Sequence, residues 1–251
     1  MDGIFIVGTA GSGKSLLSAA LAEWLAAKKI SVSVVNLDPG APFLPYEPQI
    51  DVRENIRVEE LMERYHLGPN GAIIMAADLI AGEVERINDK LAELGTEYAI
   101  FDTPGQIELF AFRASSPYLL KELKLQQKLI IYLFDAVFCS NPLNYMSNLF
   151  LSVAVYNRFI LPQLNLLSKV DLTPKEKVDE ILSWGKKPDV LTNAIARELN
   201  GSTYLLAQDI VRAIMRLRLD FSLIPCSARY LDNFINVHAA IQRVLRRGEE
   251  C

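Results

Sequence analysis

Cysteine is scarce in this 251-residue chain. The three that occur, Cys139, Cys226 and Cys251, have no metal-ligand spacing and an odd count, so neither a zinc module nor a disulfide scaffold is encoded. A reducing, cytoplasmic setting is the expectation. Excess charge of one sign is lacking too. Lys+Arg number 26 against 30 Asp+Glu, and a net charge of −4 offers no global attraction to nucleic acid or to an anionic lipid surface. Linkers, repeats and low-complexity tracts are absent, and 51% hydrophobic with 22% charged residues excludes wholesale disorder. No signal peptide is expected, because the first residues run straight into GIFIVG. Charge is missing altogether from Ala136 to Asn157, which imitates a membrane span. Pro142 and four asparagines (Asn141, Asn144, Asn148 and Asn157) suit hydrocarbon poorly, so a covered helix is expected there.

What is present is alternation. Short apolar runs at 3–7, 31–37, 97–102, 128–136, 163–170 and 221–226 read as strands, several of them apolar on consecutive positions as in strands covered on both faces. Helical patterns at 15–29, 71–94 and 142–160 lie between them. The expected fold is α/β, with a mostly parallel central sheet and helices on both faces. A single domain over 1–251 is expected, with a helix-rich insertion at about 174–219 before the last strand. In the helix at 142–160, Leu143, Met146, Phe150, Ala154 and Asn157 recur at helical spacing and Leu149, Leu151, Val153 and Val155 widen the apolar surface, predicting cover by that insertion or by a second subunit.

GTAGSGKS (8–15) fits G-x-x-x-x-G-K-[ST] directly after a strand and before a helix, the arrangement of a phosphate-binding P-loop NTPase. Gly11, Ser12 and Gly13 present backbone N–H groups to phosphate oxygens, and the helix opening at Ser15 and Leu16 adds its partial positive charge. Lys14 is assigned to the β- and γ-phosphates and the Ser15 hydroxyl to Mg²⁺.

IFDTPGQIE (100–108) starts at a strand end. Asp102 stands where P-loop proteins keep an acid that orders Mg²⁺. Gly105 lacks a Cβ, so its N–H can approach a γ-phosphate. Gln106 is assigned the orientation of the attacking water, and Glu108 is either a second acceptor for that water or a solvated residue. NLDPG (36–40) brings another acid, Asp38, to the same edge, as a metal ligand, a proton acceptor or an Asp-Pro-Gly turn residue.

LLSKVDL (166–172) is similar to the guanine-reading N-K-x-D motif. The Asp171 carboxylate can accept from guanine N1–H and the exocyclic amine together, a donor pair that adenine lacks. Lys169 lines the base, while Ser168 replaces the usual asparagine and predicts a weaker loop brace. PCSA (225–228) follows the last strand, with Ser227 and the Ala228 N–H directed to guanine O6. The expected ligands are GTP or GDP with Mg²⁺. A kinase sharing the phosphate loop would leave Asp171 and Gln106 unexplained, whereas a GTP-binding assembly factor with negligible hydrolysis is a second alternative to a GTPase.

HLGPNGA (66–72) joins two helical patterns with more turn residues than a plain connection needs. With the phosphate loop, D-T-P-G-Q, S-K-x-D and C-S-A in order, the chain resembles the GPN-loop GTPases. The resemblance implies a GPN insertion at about 51–72 and a homodimer in which Gly68, Pro69 and Asn70 approach the nucleotide of the facing subunit. Asn70 would then donate to the γ-phosphate, with the flanking glycines permitting the turn. Thr9 stands where MinD-like ATPases carry an extra lysine, so some other group must stabilise charge developing on that phosphate. Asn70 fits, and Arg53, Arg57 and Arg64 lie close in sequence. The resemblance also implies a role in assembling a larger complex such as RNA polymerase.

Overall fold

The computed structural model describes residues 1–199, 201–216 and 221–247. Seven strands form one sheet: β1 (Asp2–Gly8), β2 (Val32–Asn36), β3 (Ile50–Asp51), β4 (Tyr98–Asp102), β5 (Lys128–Asp135), β6 (Gln163–Ser168) and β7 (Leu223–Pro225). Their order is β3-β2-β4-β1-β5-β6-β7 and every pairing is parallel. Consecutive apolar residues in β1 reflect two buried faces. Phe5 and Val7 enter one core while Ile4 and Ile6 enter the other. The second core is closed by α1 (Lys14–Ala27) and α11 (Phe234–Arg247), through Leu17, Leu21 and Leu25 against Phe234, Val237 and Ile241. β3 is only two residues long, too short to leave a periodic trace, and the sequence does not predict it.

The predicted helix at 71–94 is two helices. α2 (Val58–Tyr65) leads into α3 (Pro69–Leu79), which tightens into a 3-10 turn over Ile80–Glu83, and α4 (Val84–Leu94) follows. Gly82 lies in that turn, and Glu83 is held there by Asn55 (2.8 Å) and Arg86 (2.5 Å). After α5 (Ile107–Ala111) and α6 (Ser115–Glu122) comes α7 (Pro142–Phe159). Asn141 caps α7 by accepting from Leu143 N and Asn144 N, and Pro142 sits at its first position. The buried stripe of α7 is Tyr145, Asn148, Leu149, Ser152 and Val155, whereas Leu143, Met146, Phe150 and Ala154 are half-buried and Asn157 is exposed. Polar partners explain the difference. Tyr132 donates to Asn148 Oδ1 at 2.7 Å and Ser152 donates to Asn165 at 3.1 Å, drawing polar positions inward.

Between β6 and β7 lie α8 (Lys175–Lys186), α9 (Pro188–Ile195) and α10 (Gly201–Met215), and α9 and α10 pack on α7. Residues 200 and 217–219 of the expected insertion lie outside the described residues, as does Cys251; Cys139 and Cys226 are buried free thiols. No helix among the described residues is long and apolar enough to cross a membrane.

Candidate nucleotide-binding site

β1 delivers the phosphate loop from the middle of the sheet, between β4 and β5. The loop turns at Gly11 (φ +76°) and Gly13 (φ +96°), a region that L side chains rarely occupy. Gly13 is also the N-cap of α1, and no side chain caps that helix, so its first N–H groups remain available to an anion. Ser12 Oγ is buried without a hydrogen-bond partner among the described residues. Lys14 is buried and donates to three carbonyls: Gly8 O (3.2 Å), Thr9 O (3.1 Å) and Gly105 O (3.2 Å). Burial lowers its pKa, against the pull of Asp102 and Asp38, which favour the charged ammonium.

The acids come from neighbouring strand ends. Asp102 pairs in register with Ile6 on one side and Asn36 on the other. It is 1% exposed, and burial pushes its carboxyl above the usual range, while the nearby Ser15 hydroxyl, the hydrogen bond from Tyr46 and the Lys14 charge act in the opposite direction. The next residue, Thr103, ties the segment to β1 by donating to Ile6 O at 2.7 Å. Asp38 follows β2 and accepts from Gly40 N (2.9 Å) and Gly105 N (2.8 Å). Its position is set by Asn36, whose Oδ1 accepts from Asp38 N and whose amide donates to Asp38 O and Asp51. The Asp-Pro-Gly turn expected from the sequence and the placement of Asp38 at the phosphate edge are thus the same structure. Both peptides that meet at the Gly105 Cα are bound, the one before it through its N–H to Asp38 and the one after it through its C=O, which accepts from Lys14.

Gln106 and Glu108 begin α5 on its exposed side, and neither side chain makes a hydrogen bond among the described residues. Arg53 is committed: it grips Asp51 through Nε and Nη2 and Ala41 O through Nη1. Arg57 and Arg64 are exposed, the first 3.4 Å from Glu60 and the second stacked over the Tyr65 ring.

On the other side of the phosphate loop lies a pocket of about 200 Å³, lined by Ser12, Gly13, Leu16, Ser168, Lys169, Asp171, Cys226, Ala228 and others. Lys169 adopts a left-handed conformation (φ 58°), and its stem passes 3.8 Å from the Cβ position of Gly13. Its ammonium ties the pocket together by donating to Gly11 O and to Asp135 Oδ2, each at 2.6 Å. Asp135, at the end of β5, carries no sequence signal, since nothing marks an acid whose partner is 34 residues away. Ser168 still braces the loop, with one hydroxyl proton in place of an asparagine's two amide donors. It is buried, and its hydroxyl lies 2.9 Å from Ser12 O and 3.2 Å from Phe134 O, within reach of either carbonyl. Asp171 stands exposed on the wall of the pocket. Ser227 is buried and bridges to Asp232, which shapes the turn that carries Ala228. Cys226 is floor rather than chemistry, its thiol pushed up to about 12 by burial. Arg229, also on the lining, had no sequence signal.

The G-P-N segment is a helix start rather than a free turn. His66 supplies the left-handed residue that ends α2 (φ 54°), Gly68 is extended, and Pro69 and Asn70 open α3. Neither Gly68 nor Gly71 has a positive φ, so the expectation that the flanking glycines permit the turn is corrected: proline at the first helical position and His66 make it. Asn70 is exposed and makes no hydrogen bond within its own chain among the described residues. Ile73, one turn later, lies 3.7 Å from the Cβ position of Gly40, so α3 begins beside the Asp38 loop.

A family model described as "Conserved hypothetical ATP binding protein" matches residues 6–247. GPN-loop GTPase 3 of Kluyveromyces lactis is 30% identical, over 98% of this chain and 93% of its own length. The GPN-loop GTPase 2 homolog of Dictyostelium discoideum is 35% identical over 68% of this chain, which spans about half (55%) of that longer protein. The crystal structure of a GTPase in apo form from Pyrococcus abyssi superposes with a TM-score of 0.85 at 31% identity, covering 96% of each chain. By its matched family model, its relatives and the parallel sheet it shares with that structure, the chain belongs to the GPN-loop GTPase family.

Proposed function

We propose that this protein is a Mg²⁺-dependent GTP hydrolase working as a dimeric nucleotide switch. The observation that carries the reading is one continuous site. Its phosphate half gathers Lys14, Asp38, Asp102 and Gly105, and its base half presents Lys169, Asp171 and Ala228 across the same loop. Guanine is the better partner for the Asp171 carboxylate, which can accept from two adjacent donors. The family model's description mentions ATP and the relatives' names GTP; the Asp171 chemistry favours GTP.

Terminal phosphates would take over the bonds that Lys14 now makes to carbonyls, as a charge-assisted replacement in a buried loop. The Gly105 N–H would turn from Asp38 to the γ-phosphate, which frees Asp38 Oδ2 while Gly40 N holds Oδ1. Gln106 orients a water for attack on γ-phosphorus. The bond to the β–γ bridging oxygen breaks, GDP leaves, and the water proton passes to Asp38. Ser15 and Asp102 suit Mg²⁺: a hydroxyl at the helix start stands with a buried carboxylate whose Oδ1 has no hydrogen-bond partner. The ion would neutralise charge on the phosphate oxygens. In the dimer, Asn70 of one subunit would donate to the γ-phosphate held by the other, and the switch would serve assembly of a larger protein complex such as RNA polymerase.

The test is phosphate release from GTP, ATP and XTP by wild type and Asp171→Asn. Wild type should prefer GTP. The variant, with one acceptor replaced by a donor, should lose at least about tenfold in GTP affinity and gain XTP. Preference for ATP by wild type would overturn the base assignment, and absence of phosphate release would overturn hydrolysis.

A further inference from the structure

The two oxygens of Asp102 have different fates. Oδ2 accepts from the Tyr46 hydroxyl at 2.7 Å, while Oδ1 is buried without a hydrogen-bond partner among the described residues. Tyr46 lies 56 residues before the acid, on the loop at 41–49 between β2 and β3. That loop is built to hold its position. Arg53 donates to Ala41 O (2.8 Å) at one end, and at the other Gln49 N donates to Val34 O (2.9 Å) while Gln49 Oε1 accepts from Val34 N (2.6 Å). Pro45 and Pro48 bracket Tyr46, and each keeps the preceding residue out of the helical region. The Tyr46 hydroxyl is the donor in this pair and the carboxylate oxygen the acceptor.

We propose that Tyr46 is a positioning residue for the Mg²⁺ site: by holding Asp102 Oδ2 it fixes the carboxylate and leaves Oδ1 as the oxygen available to the ion. The assignment rests on the reading of Ser15 and Asp102 as the metal-binding pair. Without the hydroxyl, a buried carboxylate has no donor on its Oδ2 side and no fixed rotation about its terminal bond. Metal binding must then first order the group that receives it.

Tyr46→Phe removes one oxygen and keeps the ring. Two titrations with a fluorescent GDP analogue separate the roles, one with divalent ions chelated and one with Mg²⁺ raised at fixed nucleotide. Affinity under chelation should stay within about twofold of wild type, and the Mg²⁺ concentration at half effect should rise about tenfold. In an Asp102→Asn background, Tyr46→Phe should add nothing. An unchanged Mg²⁺ half-point overturns the proposal, and so does an equal loss with and without Mg²⁺, which a merely structural role would produce. A wild-type chain whose GDP affinity ignores Mg²⁺ would instead sink the metal reading itself, and the Tyr46 assignment with it. Should Tyr46→Phe fail to fold, tyrosine labelled with ¹³C at Cζ in the wild-type chain decides the question: the Tyr46 resonance should move when Mg²⁺ joins the GDP complex, and a fixed resonance overturns the proposal.

Discussion

Asp135→Asn should weaken guanine-nucleotide binding although Asp135 lies outside every nucleotide motif. The substitution is nearly isosteric and keeps an oxygen at the position that accepts from Val137 N (2.9 Å) and Phe138 N (3.3 Å), so the turn after β5 survives. What disappears is the charge opposite Lys169, whose ammonium sits 2.6 Å from Asp135 Oδ2. A hydrogen bond to a charged group contributes roughly 1.5–3 kcal/mol. The Lys169 side chain is 31% exposed, however, and solvent screening brings the expected effect down to about 1–2 kcal/mol. Lys169 would retain its bond to Gly11 O, so the loop should not collapse, but the stem that lines the base pocket would lose its second anchor. The dissociation constant for GDP should therefore rise about five- to thirtyfold. Equilibrium titration with a fluorescent GDP analogue measures it. A Kd within twofold of wild type would refute the idea that Asp135 sets the position of the base-reading lysine.

The remaining expectations concern the acid, the dimer and the core. Burial raises the Asp102 carboxyl above its ordinary range, so its contribution to folding is favourable at low pH, is lost as pH rises through the folded value, and opposes folding at neutral pH. Asp102→Asn should thus melt higher than wild type at pH 7 without nucleotide, by roughly 2–4 °C for each kcal/mol recovered, with the gap closing in acid and Mg²⁺-dependent turnover abolished; identical melting at pH 7 would contradict it. Mixed by co-refolding, inactive Lys14→Ala and Asn70→Ala chains should recover about a quarter of wild-type hydrolysis if Asn70 acts across a two-fold dimer, because half the dimers are mixed and each has one complete site; background activity in a folded, mixed sample excludes action in trans. Leu149→Glu, at a fully buried position on α7, should unfold the chain by about 3 kcal/mol or more, whereas half-buried Phe150 should tolerate glutamate with much less loss in a denaturant melt.

Apart from the G-P-N segment between α2 and α3, the motifs legible in the sequence sit at or just after a strand end: the phosphate loop after β1, Asp38 after β2, D-T-P-G-Q at the end of β4, S-K-x-D at β6 and C-S-A at β7. In a parallel sheet such positions share one edge, so strand order and local pattern suffice to gather them. Tyr46 and Asp135 obey no such rule. Each acts through one hydrogen bond to a partner 56 or 34 residues away, and neither partner leaves a periodicity or spacing that a single sequence can register. The departures from expectation have the same origin. Apolar spacing in α7 carries no trace of Tyr132 and Asn165, whose side chains satisfy Asn148 and Ser152 inside the core. The stretch at 71–94 reads as one helix because residues before and after the 3-10 turn are equally helix-forming, and the tie from Asn55 to Glu83 is tertiary.

Gly105 shows how sequence and structure divide the same question. It has no positive φ, and a Cβ built there would lie 3.6 Å from Asp38 Oδ2, an ordinary contact. Neither its backbone conformation nor its surroundings demand glycine. Its two flanking peptides are nevertheless joined, the first to the acid after β2 and the second to the buried lysine of the phosphate loop. Under the proposed function, a terminal phosphate that attracted Lys14 would remove the partner of the Gly105 carbonyl, and one that attracted the Gly105 N–H would remove the partner of Asp38 Oδ2, while Oδ1 would keep Gly40 N. The two exchanges would turn the two peptides that meet at the Gly105 Cα, and such a hinge is least hindered where the Cα carries no side chain. Glycine at 105 suits that movement, and Asp38 Oδ2 would be released only as phosphate took its place.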